Sequence, residues 1–484
     1  MTRAPGQPPF DPGAPLPTPS ELGRVHLLAI GGSGMSAVAR LLLAAGVPVS
    51  GSDTADSATL ADLAAHGAKV HLGHDPAHLD GADTVVVSSA IREDNVELRT
   101  ARATGLRVLH RAQALAVLMT GRRVAAVAGA NGKTTTTSML TTALRRAGAD
   151  PSFAIGGDLV DLGANAALGS GPGFVVEADE SDGSFLVYRP QVAVVTNVQP
   201  DHLDFYGTFE QVEQAYDRFA ATIRPGGLLI CCIDDPGAAR LADAQRRRGG
   251  AVIGYGTSTA SQARLRDIEL RGLTSGCVLD RGAGGPVSLR VEAPGEYNLR
   301  NGAAAFLAAT EGFGADPGAV LAGLADYRGV RRRFEAKGEV GGVRVVDDYA
   351  HNPAKVAAVV QTGARLARPG RLVAVFQPHL FSRTRDFAEQ FAEGLAAADV
   401  VVVLDVYPAR EDPIAGVSGE LVVRALGERG HPGVLYVPRL PDAAAVVAGL
   451  ACPGDLVLTI GAGDVTSVGP QLLRLLTGPK EVRA

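Results

Sequence analysis

Two glycine-rich loops and a string of acids in this chain have residue types suited to phosphate and metal chemistry. The stronger loop is Gly129-Ala130-Asn131-Gly132-Lys133-Thr134-Thr135, between the apolar run Val124–Ala128 and a helical stretch, Ser138–Arg145. Backbone N–H groups of such a loop cradle phosphates, a lysine reaches the terminal phosphates, and a threonine hydroxyl ligates Mg²⁺. Position 127 holds Val where the longer form of the motif has Gly, so this is the short G-x-x-G-K-T form. The competing reading is a chance turn, and the strand–loop–helix context weighs against it.

The second loop follows Val25–Ile30 and reads Gly31-Gly32-Ser33-Gly34-Met35-Ser36-Ala37. Gly32, Gly34 and Ala37 fit G-x-G-x-x-A, and Asp53 follows a second apolar run, Val47–Ser50. Small residues let a pyrophosphate approach a helix N-terminus, and an acid there can bind a ribose. Gly32, Ser33, Gly34, Met35 and Asp53 are the candidates. The pattern alone does not separate NAD from another nucleotide diphosphate, and a tight turn without a ligand also fits.

The acids stand after strands. Phe174-Val175-Val176 ends in Glu177-Ala178-Asp179-Glu180-Ser181-Asp182, and Val192–Thr196 ends in Asn197, followed by Asp201-His202-Leu203-Asp204. Ligands in open α/β sheets bind at the carboxyl ends of strands. Glu177, directly at a strand end, is expected to ligate a metal. Asp179, Glu180 and Asp182 read equally well as a solvated or helix-capping turn.

These loops need a scaffold of parallel strands and covering helices. Runs such as Thr84–Ser88, Leu228–Cys232, Arg344–Asp347, Leu372–Phe376, Val400–Leu404 and Leu456–Ile460 alternate with Ala/Leu-rich helical segments, which predicts α/β sheets. Ten or more strands are too many for one compact sheet. At roughly 150 residues per domain, 484 residues suggest three domains. Boundaries are expected near Leu118–Arg123 and Tyr327–Arg332, giving domains over 23–119, 120–328 and 329–484. The Pro-rich segment 1–22 lacks the apolar core of a secretory signal and reads as a disordered tail. No apolar stretch is long enough to span a membrane, so a cytoplasmic protein is expected. A net charge of −5 argues against a general nucleic-acid-binding surface. Cys231, Cys232, Cys277 and Cys452 form no zinc-type pair and read as buried reduced thiols. His66, His71, His74 and His78 read as surface residues.

Taken together, these motifs resemble the Mur ligases, ATP-dependent enzymes that add amino acids to the peptidoglycan precursor. The likeness is strongest to the alanine-adding branch. It rests on the two loops, the 177–182 and 197–204 acids, Ser88-Ser89-Ala90-Ile91, Arg331-Arg332-Arg333-Phe334-Glu335, Asp347-Asp348-Tyr349-Ala350-His351-Asn352-Pro353, and Phe376-Gln377-Pro378-His379 with Ser382-Arg383-Thr384-Arg385. It covers nearly the whole chain from Gly23. Two positions depart from the branch pattern: Asn131 stands where His is usual in the phosphate loop, and Asn352 follows His351 where a second His is usual. Some other branches place a carbamylated Lys after the Asp-His segment. Gln211–Arg224 contains no Lys, which suits the alanine-adding branch.

The resemblance implies a Rossmann-like N-terminal domain for the UDP-sugar, a central P-loop ATPase-type domain, and a Rossmann-like C-terminal domain for the amino acid. It implies ATP and Mg²⁺ as cofactors, with UDP-N-acetylmuramate and L-alanine as substrates. Lys133 and residues Gly129 to Thr135 would hold ATP, with Asn298, Asn301 and Asp347 also contacting it. Thr134, Glu177 and His202 would ligate metal. Arg333 would touch ATP phosphates, while Arg331 and Arg332 read as a solvated linker face. Ser88, Ser89, Tyr349, His351, His379 and Arg383 would shape the substrate pockets, with His351 also expected to be catalytic alongside Lys133, Glu177, His202 and Arg333. Helix capping is the plain alternative for Asn298 and Asn301. Three other functions compete: a ligase of the same chemistry with another amino acid or acceptor, as in secondary metabolism; an NAD-dependent oxidoreductase; and a nucleotide-binding regulator without catalysis.

Overall fold

The structure is a computed structural model and describes residues 5–409 and 411–477. The chain divides into two compact units, Met1–Gly329 and Val330–Ala484.

The first unit holds two sheets. One has five parallel strands in the order Lys69–Leu72, Val49–Asp53, β1 (Val25–Leu28), Thr84–Val87 and Arg107–His110. The strand order reverses at β1, and the Gly31–Gly34 loop leaves β1 at this switch point, where an open α/β sheet has its natural crevice. The loop feeds α1 (Ser33–Ala44), which buries Met35, Val38, Leu41 and Leu42 and stops before Gly46 at φ 77°. A later helix, α2 (Arg111–Leu118), leads to the second sheet.

That sheet has ten strands. At its centre β2 (Arg123–Ala128) lies between β3 (Gly173–Glu177) and β4 (Val192–Val195), all parallel. The strand count expected for several sheets is thus partly gathered into one, because antiparallel pairs extend both edges. From β2 the chain enters α3 (Lys133–Arg146), and from β4 it reaches two helices, α4 (Leu203–Tyr206) and α5 (Phe209–Ala221). Helix α6 (Glu296–Leu307) follows the antiparallel edge. A single core cluster includes Leu22, Val25, Leu115, Leu118, Val124, Phe174 and Phe219. The expected boundary near Leu118–Arg123 lies where the chain passes from one sheet to the other, and the two sheets share this packing.

The second unit is a six-stranded sheet containing β5 (Val343–Asp348), β6 (Leu372–Phe376) and β7 (Leu456–Ile460). Strand β7 sits between β5 and β6, parallel to both. Helix α7 (Pro353–Ala367) follows β5.

Three expectations are corrected here. Residues 5–22 are not a disordered tail: Phe10 and Leu16 pack against the main core, and Leu22 is fully buried. Proline stiffens this segment and lowers the entropy lost on docking. The earliest residues of the expected tail lie outside the described residues. Cys452 is exposed in a tight turn, whereas the other thiols are buried.

The third correction concerns the histidines. His66 is exposed, but His71, His74 and His78 are part-buried and gather with buried His26 around Glu97. The Glu97 carboxylate is fully buried and accepts from Ser52 Oγ at 2.6 Å, with His74 Nδ1 and His78 Nδ1 each at 2.8 Å. Burial opposes its charge, yet these donors and His26 hold its pKa well below the usual 4.5. A depressed carboxylate stabilises the fold above its unfolded pKa and loses that contribution as pH falls toward the folded value. Glu97→Gln should therefore cost about 3–5 kcal/mol at pH 7. The gap from wild type should shrink below about pH 4.5, the unfolded value. Thermal melts of both proteins from pH 7 to pH 3 measure this, and a gap constant across that range would refute it.

Candidate active site

The Gly129–Gly132 loop needs its glycines. Gly129 and Gly132 have φ 141° and 88°, and Gly132 caps α3. A Cβ on Gly129 would stand 2.0 Å from Thr196 Oγ1, and one on Gly132 would stand 2.6 Å from Asn301 Oδ1. Asn301 thus lies against the loop. Asn298 does not cap its helix: Gly295 is the N-cap, and Asn298 Nδ2 donates to Pro294 O at 2.8 Å. Both asparagines are buried.

Because β2, β3 and β4 are neighbours, their carboxyl ends bring the loop and both acidic segments together. Thr134 Oγ1 donates to Glu177 Oε1 at 3.0 Å, and Gly156 N–H donates to Glu177 Oε2 at 2.7 Å. Lys133 Nζ donates to Gly129 O at 2.6 Å and to Glu180 Oε1 at 2.7 Å. Burial works against the Lys133 charge, but Glu180 and Asp179 outweigh it and raise its pKa. Burial in turn raises the Glu180 carboxyl, against the pull of Lys133. Glu180 Oε2 is buried and has no hydrogen-bond partner among the described residues. His202 places Nε2 3.9 Å from Glu180 Oε1. Asn131 accepts from Thr196 Oγ1 at 2.6 Å through its carbonyl, and its N–H donates to Asn197 Oδ1 at 2.9 Å.

Asp179, Glu180 and Asp182 each pair with a side chain, while Asp179 and Asp182 also hold the turn by accepting from the Ser181 and Ser184 N–H groups, and Asp179 stays part-exposed. Asp179 Oδ2 accepts from Arg111 Nη2 at 2.6 Å. Asp182 Oδ2 accepts from Ser89 Oγ at 2.5 Å and lies 3.4 Å from His110 Nε2. Burial opposes the Asp182 charge, but His110 and Arg111 hold its carboxyl well below the usual range. The motif reading missed Arg111 and His110. Each is a lone residue far in sequence from its acid, and no local pattern marks it.

In the other crevice, Asp53 Oδ2 accepts from Gly31 N–H at 2.9 Å, which fixes the acid against the loop. A Cβ on Gly34 would meet Arg111 Nη1 at 2.7 Å, so Arg111 reaches from this loop to Asp179. Gly32 N–H donates to Ala29 O, and Ser33 O accepts from Asn165 Nδ2 at 2.8 Å. The Met35 side chain is in the core, and Ser88 O accepts from Ile91 N–H.

The second unit collects the remaining candidates. Tyr349, His351, His379 and Tyr407 form a row of rings, with successive centroids 5.2, 5.8 and 5.8 Å apart. Arg383 Nη1 donates to His351 O at 3.4 Å, and Arg333 lies over the Tyr349 ring at 5.4 Å. Burial pushes the His351 imidazole down to about 3, against a hydrogen bond to Tyr349 O. The ring is therefore neutral at pH 7.

Two expectations fail in this unit. Asp347 is fully buried, and its oxygens accept from Thr459 Oγ1 at 2.5 Å and Thr466 Oγ1 at 2.7 Å. It therefore presents no carboxylate to a ribose. Arg331 is exposed, but Arg332 is no solvated linker: its Nη2 donates to Gly461 O at 2.7 Å and Gly463 O at 2.9 Å. Asn352 caps α7, its Oδ1 accepting from Lys355 N–H at 2.9 Å.

Three family profiles match along the chain: Mur ligase family, catalytic domain, at residues 24–123; Mur ligase middle domain at 127–309; and Mur ligase, glutamate ligase domain, at 332–463. UDP-N-acetylmuramate–L-alanine ligase of Kineococcus radiotolerans is 55% identical over 470 residues, covering 96% of this chain and 98% of its own. The enzyme of the same name from Saccharopolyspora erythraea is 53% identical over 460 residues, covering 93% of each chain. Among solved structures, the UDP-N-acetylmuramate–alanine ligase MurC of Thermotoga maritima superposes with a TM-score of 0.80 at 26% identity, covering 93% of this chain and 98% of its own. The three profiles, with relatives at half identity or more along nearly the full length, place the chain in the Mur ligase family.

Proposed function

We infer that this protein is an ATP-dependent ligase that joins L-alanine to the lactyl carboxylate of UDP-N-acetylmuramate in peptidoglycan precursor synthesis. The observation that carries the chemistry is the convergence of Lys133, Thr134 and Glu177 at the ends of adjacent strands. The full-length likeness to L-alanine ligases carries the choice of substrates.

A carboxylate oxygen is a poor leaving group, so the acid must first be activated. Transfer of the γ-phosphoryl group of ATP gives an acyl phosphate. The amine attacks it, and the tetrahedral intermediate collapses to amide and phosphate. Phosphoryl transfer depends on positioning and charge neutralisation. Lys133 and the loop N–H groups of Gly129, Ala130 and Gly132 hold the β- and γ-phosphates, while the Asn131 N–H stays on Asn197. Thr134 Oγ1 and Glu177 Oε1 form a hard-oxygen pair that fits Mg²⁺, with His202 proposed toward a second ion. When bound, Mg²⁺ supplies charge that offsets repulsion between the anionic reactants. In the second unit, Arg383 is suited to clamp the free α-carboxylate of the amino acid. Tyr349, neutral His351 and His379 line the proposed pocket beside it. The Gly32–Gly34 loop and Asp53 take the UDP part. No helix among the described residues is long and apolar enough to cross a membrane, and work on nucleotide-linked precursors in the cytoplasm is proposed.

The alternative of another amino acid or acceptor rested on Asn131 and Asn352. Asn352 serves as a helix cap, and Asn131 ties the loop to Asn197. Both departures thus have local structural uses. Phosphate release from ATP, measured with UDP-N-acetylmuramate and a panel of amino acids, should be stimulated most by L-alanine. No response to L-alanine, or a larger response to another amino acid, would overturn the assignment.

A further inference from the structure

Helix α4 carries His202 at its start and cannot hold itself in place. It has four residues, flanked by His202 in the left-handed region at φ 52° and by Gly207 at φ 80°. Helices this short are unstable alone, and their last carbonyls lack partners within the helix. A partner comes from far away in sequence. Gly6 N–H donates to Phe205 O at 2.9 Å. A Cβ on Gly207 would lie 3.5 Å from Pro5, and one on Gly183 would lie 3.3 Å from Pro8 and 3.6 Å from the Phe205 ring. Pro8 and Phe205 therefore close over the same spot. Phe10 anchors the segment with its ring 5.3 Å from that of His110, and Pro12 O accepts from Arg189 Nη2 at 3.1 Å. Tyr206 Oη in turn donates to Glu180 O at 2.5 Å. Helix α4 is thus held by both the acidic segment and residues 5–12.

We propose that residues 5–12 are a positioning strap for the His202 turn, holding the imidazole where it can serve a cation beside Glu180. The strap caps the Phe205 carbonyl and covers the Phe205 ring. Without it, α4 frays and His202 loses its fixed direction. The inference rests on the reading of His202 as a cation ligand.

The test uses full-length enzyme, a chain lacking residues 1–12, and full-length Phe10→Ala. Hydrogen exchange in the metal-free proteins reads the Phe205, Tyr206 and Gly207 amides. Electron paramagnetic resonance reads Mn²⁺ affinity in the presence of ADP. Truncation should speed exchange at these amides by about tenfold or more while α3 amides stay protected. It should also weaken Mn²⁺ by about tenfold, as loss of an orienting contact does. Phe10→Ala should show the same changes at smaller size, and Phe10→Leu should restore most of the loss; these variants carry the test if the truncated chain does not fold. Unchanged exchange and unchanged Mn²⁺ affinity would overturn the strap. His202→Ala separates the two readings. If it leaves Mn²⁺ affinity intact, the ligand assignment of His202 fails. If it weakens Mn²⁺ and truncation does not, the strap alone fails.

Discussion

Lys133→Ala should lower turnover by about a thousandfold or more, because catalysis of phosphoryl transfer is chiefly positioning and charge neutralisation. Lys133 is the cation that the loop itself supplies, and its ammonium is held charged by Glu180 and Asp179 despite burial. The same variant leaves the Glu180 carboxylate buried without its 2.7 Å partner. Removing one member of a buried pair costs about 3–5 kcal/mol. Stability should therefore fall together with activity. Pairing Lys133→Ala with Glu180→Gln separates the effects: melting temperature should recover and turnover should not. Phosphate release and thermal melts on both proteins supply the measurement. Substantial activity in folded Lys133→Ala would refute the phosphate-loop assignment.

Glu177→Gln is expected to lower turnover by about a hundredfold or more and to raise the apparent Mg²⁺ requirement. The two Glu177 oxygens accept from Thr134 Oγ1 and Gly156 N–H. A glutamine keeps the shape, loses the charge, and turns an amide donor toward one of these two donors. Titrating phosphate release with Mg²⁺ in both proteins tests the assignment. A full rate at the wild-type Mg²⁺ concentration would remove Glu177 from the metal site.

Much of the site was legible because its parts are local. Gly129 to Thr134 form one strand–loop–helix turn, and its chemistry depends on residues adjacent in sequence. Glu177 was legible for the same reason, as an acid directly at the end of an apolar run. Asp179 and Asp182 were not. Their role is set by Arg111 and His110, which come from another sheet's connection and leave no spacing rule. Asp347 shows the opposite failure. Its place in a family-like motif suggested contact with ATP, but Thr459 and Thr466 occupy its carboxylate. The histidines near residue 70 looked like a polar surface, and only the fold shows that they surround the buried Glu97.

The sequence by itself determined the α/β class, the two glycine-rich loops, the acids that follow strands, and the family. Each of these is written in short-range order: apolar runs, a glycine that must adopt positive φ, a lysine beside a loop. Tertiary structure alone decided that β2 lies between β3 and β4, which brings Lys133, Thr134 and Glu177 together. It alone decided that Arg111 spans two loops and that residues 5–12 are docked across α4. The physical reason is that long-range pairing depends on which surfaces remain to be buried once the local elements have formed. That choice belongs to the whole chain and to no segment of it.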